Sequence, residues 1–270
     1  VPKPREASAR SERLARIGCF VELHIEQGRA RPDSLGAATP TTADPHGLID
    51  LDSAVGVASR IWPHGRWRFD FAGRADHAGT TRLDHRADPM LAYADTVLAA
   101  RAAAEKHGAL ATFGKVRVEP NGVNAIPSHV TGWLDARGTD EARVQALVAD
   151  LSGRRGPWVG AGPTRRHSVE RQIAEESWTP STLFDVGLRD QLAALLGDAP
   201  VLPSSAGHDA GILAAAGVPS AMVFVRNPTG TSHSPAEHAD HNDCLAAVEA
   251  LAEVIEVFAA ESPTRPTNMR

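Results

Sequence analysis

A two-part α/β fold is what this sequence predicts, and three observations carry it. Trp67, Phe69 and Phe71 alternate with Arg66, Arg68 and Asp70, the period of a strand with one buried face. Across residues 61–175 the chain reads strand, helix, strand, strand, helix, strand, the βαββαβ order of a ferredoxin-like unit. On both sides of that unit short apolar strands alternate with helices, the pattern of layered α/β structure. The expected architecture is a partial α/β domain interrupted by an inserted ferredoxin-like domain.

The elements follow in order. A short apolar strand is expected at Phe20–Ile25. Residues 31–47, rich in Pro, Thr, Ala and Asp and without periodicity, read as a surface-loop insertion. After the Trp67–Phe71 strand, Asp88 offers an N-cap and Pro89 the first position of a helix. Its apolar stripe reads Met90, Ala94, Val97 and Leu98, and Gly108 closes it. Strand-like runs at Thr112–Val118 and His129–Arg137 flank the turn signal Pro120-Asn121-Gly122. Val144, Leu147, Val148 and Leu151 recur at helical spacing and stop at Gly153, and an alternating run at His167–Ile173 completes the unit. Beyond Ser181 a helix carries Leu183, Leu188, Leu192 and Leu195, followed by a Gly/Ser-rich loop at Pro203–Gly207. A short helix from Asp209, a strand at Ala221–Val225 and an amphipathic helix carrying Leu245, Val248, Leu251, Ala252, Ile255 and Phe258 end the pattern. The expected divisions are a flexible segment 1–16, α/β parts 17–60 and 176–262 around the inserted unit 61–175, and a tail 263–270.

Composition narrows the function classes. With 270 residues, 42% hydrophobic and 23% charged, the chain carries enough apolar material for a real core. A net charge of −5 argues against a general polyanion binder, so no nucleic-acid partner is expected. No apolar run approaches the roughly 18 residues of a membrane span, and no membrane partner is expected. Val1–Arg16 is polar without an apolar stretch, and two cysteines, Cys19 and Cys244, make no disulfide framework; a cytoplasmic location is the expectation.

Several histidines sit in polar settings near strand ends. In Glu22-Leu23-His24-Ile25-Glu26-Gln27-Gly28, side chains two apart share a face of the strand, so Glu22, His24 and Glu26 lie together. His24 reads as a metal ligand with a carboxylate orienting it, or as a strand-end His paired with a surface Glu. Asp76-His77-Ala78-Gly79-Thr80-Thr81 follows a strand, where loops carry function, or is a turn with an incidental His. His233 follows the Ala221–Val225 strand, at the carboxyl end where open α/β sheets bind ligands, and Gly207-His208-Asp209 opens a helix. Pro127 favours an extended Asn124-Ala125-Ile126 segment that could aim the Asn124 side chain. Arg137 reads as a bidentate clamp on a carboxylate, or as an ordinary partner of Asp135 or Glu119.

Taken together, Glu22–Gly28, Ala75–Thr81, Asn124–Pro127, Leu134–Arg137, Ala206–Ala210 and Ser232–Glu237 resemble, in order, the amidase/hydantoinase/carbamoylase branch of the zinc aminoacylase and carboxypeptidase superfamily. That branch includes allantoate amidohydrolases, N-carbamoyl-L-amino-acid hydrolases and β-ureidopropionases. The Ile61–Trp67 and Phe224–Pro235 segments look most like the allantoate enzymes. The resemblance implies a metal-binding α/β domain, an inserted ferredoxin-like lid through which two subunits dimerise, and two divalent metals per site, Zn²⁺, Mn²⁺ or Co²⁺. It implies His24 as a ligand of one metal and His233 of the other. Gln27, Gly207 and His208 would contact a small ureido carboxylate substrate. His77 and Asn124 would be catalytic, stabilising the oxyanion and touching substrate, in the partner subunit's site, and Arg137 would anchor the substrate carboxylate.

The chain also departs from the family pattern. The family's His-x-Asp motif, bridging Asp and Glu-Glu pair precede the position of Glu22, and the 21 residues before Glu22 contain no His. The expectation is therefore the C-terminal portion of an amidohydrolase cleaving the ureido C–N bond of allantoate, lacking its N-terminal metal-binding segment and inactive alone. An N-carbamoyl-L-amino-acid hydrolase or β-ureidopropionase is the alternative substrate reading, with peptidase or aminoacylase activity less favoured. A non-catalytic dimerising or ligand-binding remnant is the alternative of another class.

Overall fold

The computed structural model describes residues 13–28, 47–154 and 169–261. The expectations for 31–46, for the first 12 residues, for the tail and for the start of the run at His167 lie outside them. In chain order the strands are β1 (Phe20–Ile25), β2 (Val55–Ile61), β3 (His64–Ala72), β4 (Asp76–His77), β5 (Ala109–Glu119), β6 (Ala125–Ile126), β7 (His129–Gly138), β8 (Glu170–Thr179), β9 (Thr182–Leu183), β10 (Val201–Ser204) and β11 (Ser220–Val225). The helices are α1 (Pro89–His107), α2 (Glu141–Gly153), α3 (Val186–Leu195), α4 (Asp209–Ala215) and α5 (His241–Glu261). The architecture is mixed α/β, and the chain divides into two compact units, one spanning Trp62–Ser181 and one built from the flanks.

In the middle unit β3, β5, β7 and β8 form an antiparallel sheet of order β5-β7-β3-β8. The alternation in β3 buries Trp67, Phe69 and Phe71 against α1 and α2, with Val130, Leu134, Val144, Leu147 and Leu151. Asp88 caps α1 by accepting from the Met90 N–H (2.9 Å), and Gly108 ends it in the left-handed region at φ 58°. The buried face of α1 is not the expected one. Ala92, Thr96, Ala100, Ala103 and Ala104 face the sheet, while Leu98 is 73% exposed. Small residues let the helix lie close to the sheet; Met90 and Tyr93 still pack against the core, while Leu91 and Leu98 point outward. The last strand runs over Glu170–Thr179, later than the alternating run at His167–Ile173 suggested.

In the flanking unit the sheet order is β1-β11-β2-β10, with β9 beside β2; β1 and β11 are parallel, and so are β2 and β10. All six residues of β11 (SAMVFV) are buried, as expected of a strand covered on both faces. Leu183 belongs to β9 rather than to a helix and is 68% exposed. Pro203 and Ser204, expected in a loop, are the end of β10. On α5 the buried side is Asp243, Ala247, Ala250 and Val254, and Leu245, Val248 and Ile255 point outward. Among the described residues no helix is long and apolar enough to cross a membrane.

Candidate functional site

In the flanking unit the carboxyl end of β1 meets the start of α4. Glu22 Oε2 accepts the Ala210 N–H (2.7 Å), which ties β1 to the first turn of α4 across 188 positions of sequence. His208, immediately before α4, places its Nδ1 3.8 Å from Glu22 Oε1 and its Nε2 3.0 Å from Ser204 Oγ. The rings of His24 and His208 lie edge to face with centroids 4.6 Å apart. One ligating atom from each of Glu22, His24 and His208 falls within 4.8 Å of the others. Burial, and then the neighbouring charge of His24, pushes the His208 pKa down to about 4, so its imidazole is neutral at neutral pH.

The expected trio of Glu22, His24 and Glu26 does not form. Glu26 lies past the end of β1 and turns to the Leu48 N–H, which it accepts at 3.1 Å. His233 is not in the three-residue cluster. It sits in the loop after β11 with φ 56°, its N–H donating to Glu237 Oε2 at 2.8 Å. Gln27 is half-buried just after β1, and Gly207 is exposed beside the buried His208.

Asn227 organises the β11 loop, and the sequence reading missed it. Its side chain donates to the carbonyls of Glu26 and Thr231 and accepts from the N–H groups of Thr229 and Gly230. The Asn227-Pro228 pair, a turn-initiating dipeptide, was the available signal. Arg226 beside it forms a two-pronged pair with the buried Asp243 (both 2.7 Å), which staples the loop to α5.

In the middle unit, β4 and β6 form a two-stranded ladder that pairs His77 with Ala125, next to Asn124. The Ala78 N–H donates to the Asn124 carbonyl (2.9 Å), so His77 and Asn124 are held side by side. The Gly79 N–H donates to His77 Nδ1 (3.1 Å). In the neutral ring the proton therefore sits on Nε2, ready to donate. Arg86 grips the same loop, donating to the carbonyls of Ala78 (2.7 Å) and Thr81 (2.9 Å). Asp76 accepts the His77 N–H; this hydrogen bond, then one from Thr81, holds its carboxyl below the usual range. Arg137 is engaged by Asp135 through Nε (2.6 Å) and Nη2 (3.1 Å), the ordinary pairing its sequence context also allowed.

The sequence pattern of peptidase family M20/M25/M40 matches residues 7–257. The chain belongs to this family. An N-carbamoyl-L-amino acid amidohydrolase of Geobacillus stearothermophilus is 33% identical over 239 residues, covering 87% of this chain and 53% of that protein. An allantoate amidohydrolase of Escherichia coli (strain K12) is 30% identical over 251 residues, again 87% of this chain and 53% of the relative. A hydantoinase/carbamoylase family amidase structure from Burkholderia vietnamiensis matches with a TM-score of 0.74 at 26% identity, covering 89% of this chain and 54% of that one. The chain thus spans about half the length of the relatives it matches.

Proposed function

We propose that the whole protein hydrolyses the ureido C–N bond of a small carbamoyl carboxylate, with allantoate as the first candidate and N-carbamoyl-L-amino acids as the second. The observation that carries this reading is the β4–β6 ladder. It presents a His77 ring with a preset Nε2–H beside Asn124, a pair of donors suited to a developing oxyanion. On β1, the imidazole of His24 and the carboxylate of Glu22 are donors that chemically suit a divalent cation. A bound Zn²⁺, Mn²⁺ or Co²⁺ supplies Lewis acidity toward the ureido carbonyl and its attacking water.

The chain's own groups have distinct parts in this proposal. His24 and His233 are metal ligands, and Gln27, Gly207 and His208 contact substrate. Arg137 pairs with Asp135 through Nε and Nη2, and its guanidinium orients the substrate carboxylate. The middle unit, with its β5-β7-β3-β8 sheet and two helices, is a ferredoxin-like lid inserted in the α/β domain and the dimerisation element. None of the residues matched to the family supplies a carboxylate general base, so the 270-residue chain alone is expected to release little or no ammonia.

Ammonia release from allantoate and from N-carbamoyl-L-amino acids, measured on the whole protein, tests the proposal. His77→Ala and Asn124→Ala are each expected to lower kcat by about 10²–10³-fold. Full activity of both variants on both substrates would sink the oxyanion role. Absence of ammonia release by the unmodified protein from either substrate would sink the substrate class.

A further inference from the structure

We infer that Arg86 is the positioning residue of His77. Acting through a single peptide plane, its guanidinium fixes which nitrogen of the His77 ring carries the proton. This role rests on the reading of His77 as an oxyanion donor and deepens it.

The peptide between Ala78 and Gly79 links the two side chains. Its carbonyl accepts from Arg86 Nη2 (2.7 Å), and its N–H donates to His77 Nδ1 (3.1 Å). A trans peptide is planar with its C=O and N–H pointing opposite ways, so a hold on one end sets the other. If the plane turned over, it would present the Ala78 carbonyl to His77 Nδ1. Two acceptors cannot pair, so the ring would have to move its proton to Nδ1 and lose the donor at Nε2. The positive charge on the carbonyl also polarises the amide and strengthens its N–H as a donor to the ring. The Thr81 carbonyl accepts from Arg86 Nε (3.1 Å) and Nη2 (2.9 Å), and the Thr81 N–H donates back to the His77 carbonyl (3.1 Å). Arg86 therefore holds the turn after His77 at both ends.

The guanidinium works from a fixed base. Ala87 next to it is buried and accepts the Arg74 N–H (2.9 Å), and Asp88 and the buried Pro89 follow as the cap and first residue of α1. A Cβ at Gly73 would collide with the Ala87 carbonyl, so the two ends of the loop meet closely. Arg86 thus carries the position of the packed α1 start up to the imidazole. Glycine at 79 leaves the ring its place, since a Cβ there would lie 3.3 Å from His77 Cε1.

Two measurements test the role. In the 270-residue chain, the imidazole nitrogen chemical shifts of His77 are read at a pH where the ring is neutral, the signals being identified by their loss in His77→Ala. The unmodified chain is expected to show the widely separated Nδ1 and Nε2 shifts of one tautomer, and Arg86→Met to draw them together as both tautomers fill. In the whole protein, Arg86→Met is expected to lower kcat about 10-fold with KM little changed. Introduced into His77→Ala, it should lower kcat less than about 2-fold, because the group it positions is gone. Circular dichroism checks that each variant is folded. If Arg86→Met does not fold, Arg86→Lys, which keeps the charge and loses the planar fork, carries both measurements. Unchanged His77 shifts in the Arg86 variant overturn the inference. Equal losses of kcat in the two backgrounds also overturn it and leave Arg86 a structural part of the loop. Full activity of His77→Ala sinks the oxyanion reading alone, and the His77 shifts then decide the positioning by themselves.

Discussion

His77 shows how a backbone amide decides what an imidazole can do. The Gly79 N–H occupies Nδ1, so the ring offers a donor at Nε2 without needing a charge. Arg137 is decided by its neighbour in the same way. Asp135 is half-buried, and burial opposes its charge. The Arg137 hydrogen bonds and charge, helped by Arg66, outweigh that and hold its carboxyl below the usual range. A carboxyl with a lowered folded pKa stabilises the protein above its unfolded pKa, and this contribution is lost as pH falls through the folded value. Asp135→Asn should therefore cost about 1 kcal/mol at pH 7 and almost nothing once the pH is well below the carboxylate range. Urea unfolding of both proteins at pH 7 and pH 2.5 checks this, and a cost that persists unchanged in acid would assign the effect to packing instead.

At the scale of elements, the pairing of Arg226 with Asp243 carries more weight than most of the ion pairs. Its side chains are 20% and 5% exposed, whereas those of the Arg101–Glu105 pair on α1 are 78% and 64% exposed. Asp243→Ala leaves a guanidinium without its buried partner and should cost about 3 kcal/mol, against less than about 0.5 kcal/mol for Arg101→Ala. Denaturant midpoints of the two variants compare them directly, and equal shifts would refute the distinction. The same scale shows what the sequence makes legible. The β3 alternation and the Asp88-Pro89 start of α1 could be read because strand period and capping are local. The faces of α1 and α5 could not, because alanines make up much of the buried side while Leu98, Leu245, Val248 and Ile255 point out, and a count of large apolar residues then selects the wrong side. The strand at Val201–Ser204 was hidden by its Pro and Ser residues. The Glu22–His208 contact was hidden because parallel pairing of β1 and β11, not sequence proximity, brings it about. Single motifs around His24 and His77 were visible, but which nitrogen each ring offers depends on hydrogen bonds no spacing reveals.

At the scale of the whole molecule, the proposed dimer can be tested on the surface of the middle unit. Strand β5 is an edge of its sheet, with Leu110 and Val116 43% and 49% exposed, and Leu91 and Leu98 are exposed on α1. An edge strand with no further neighbour among the described residues, and exposed apolar side chains in the same unit, invite a second copy. Leu98→Glu combined with Val116→Glu should shift the protein from dimer to monomer in sedimentation velocity. A dimer of unchanged stability in that variant would place the interface elsewhere.

The β1–β11 register has a consequence for biosynthesis. Phe20 pairs with Ser220, 200 positions later. At about 5–20 residues per second, β1 leaves the ribosome roughly 10–40 s before its partner exists. The middle unit, whose strands all lie between those two, is synthesised in that interval and has every partner its sheet needs. Folding during translation is therefore ordered from the inside outward, with the apolar β1 strand waiting unpaired and in need of chaperone cover until the chain returns to it.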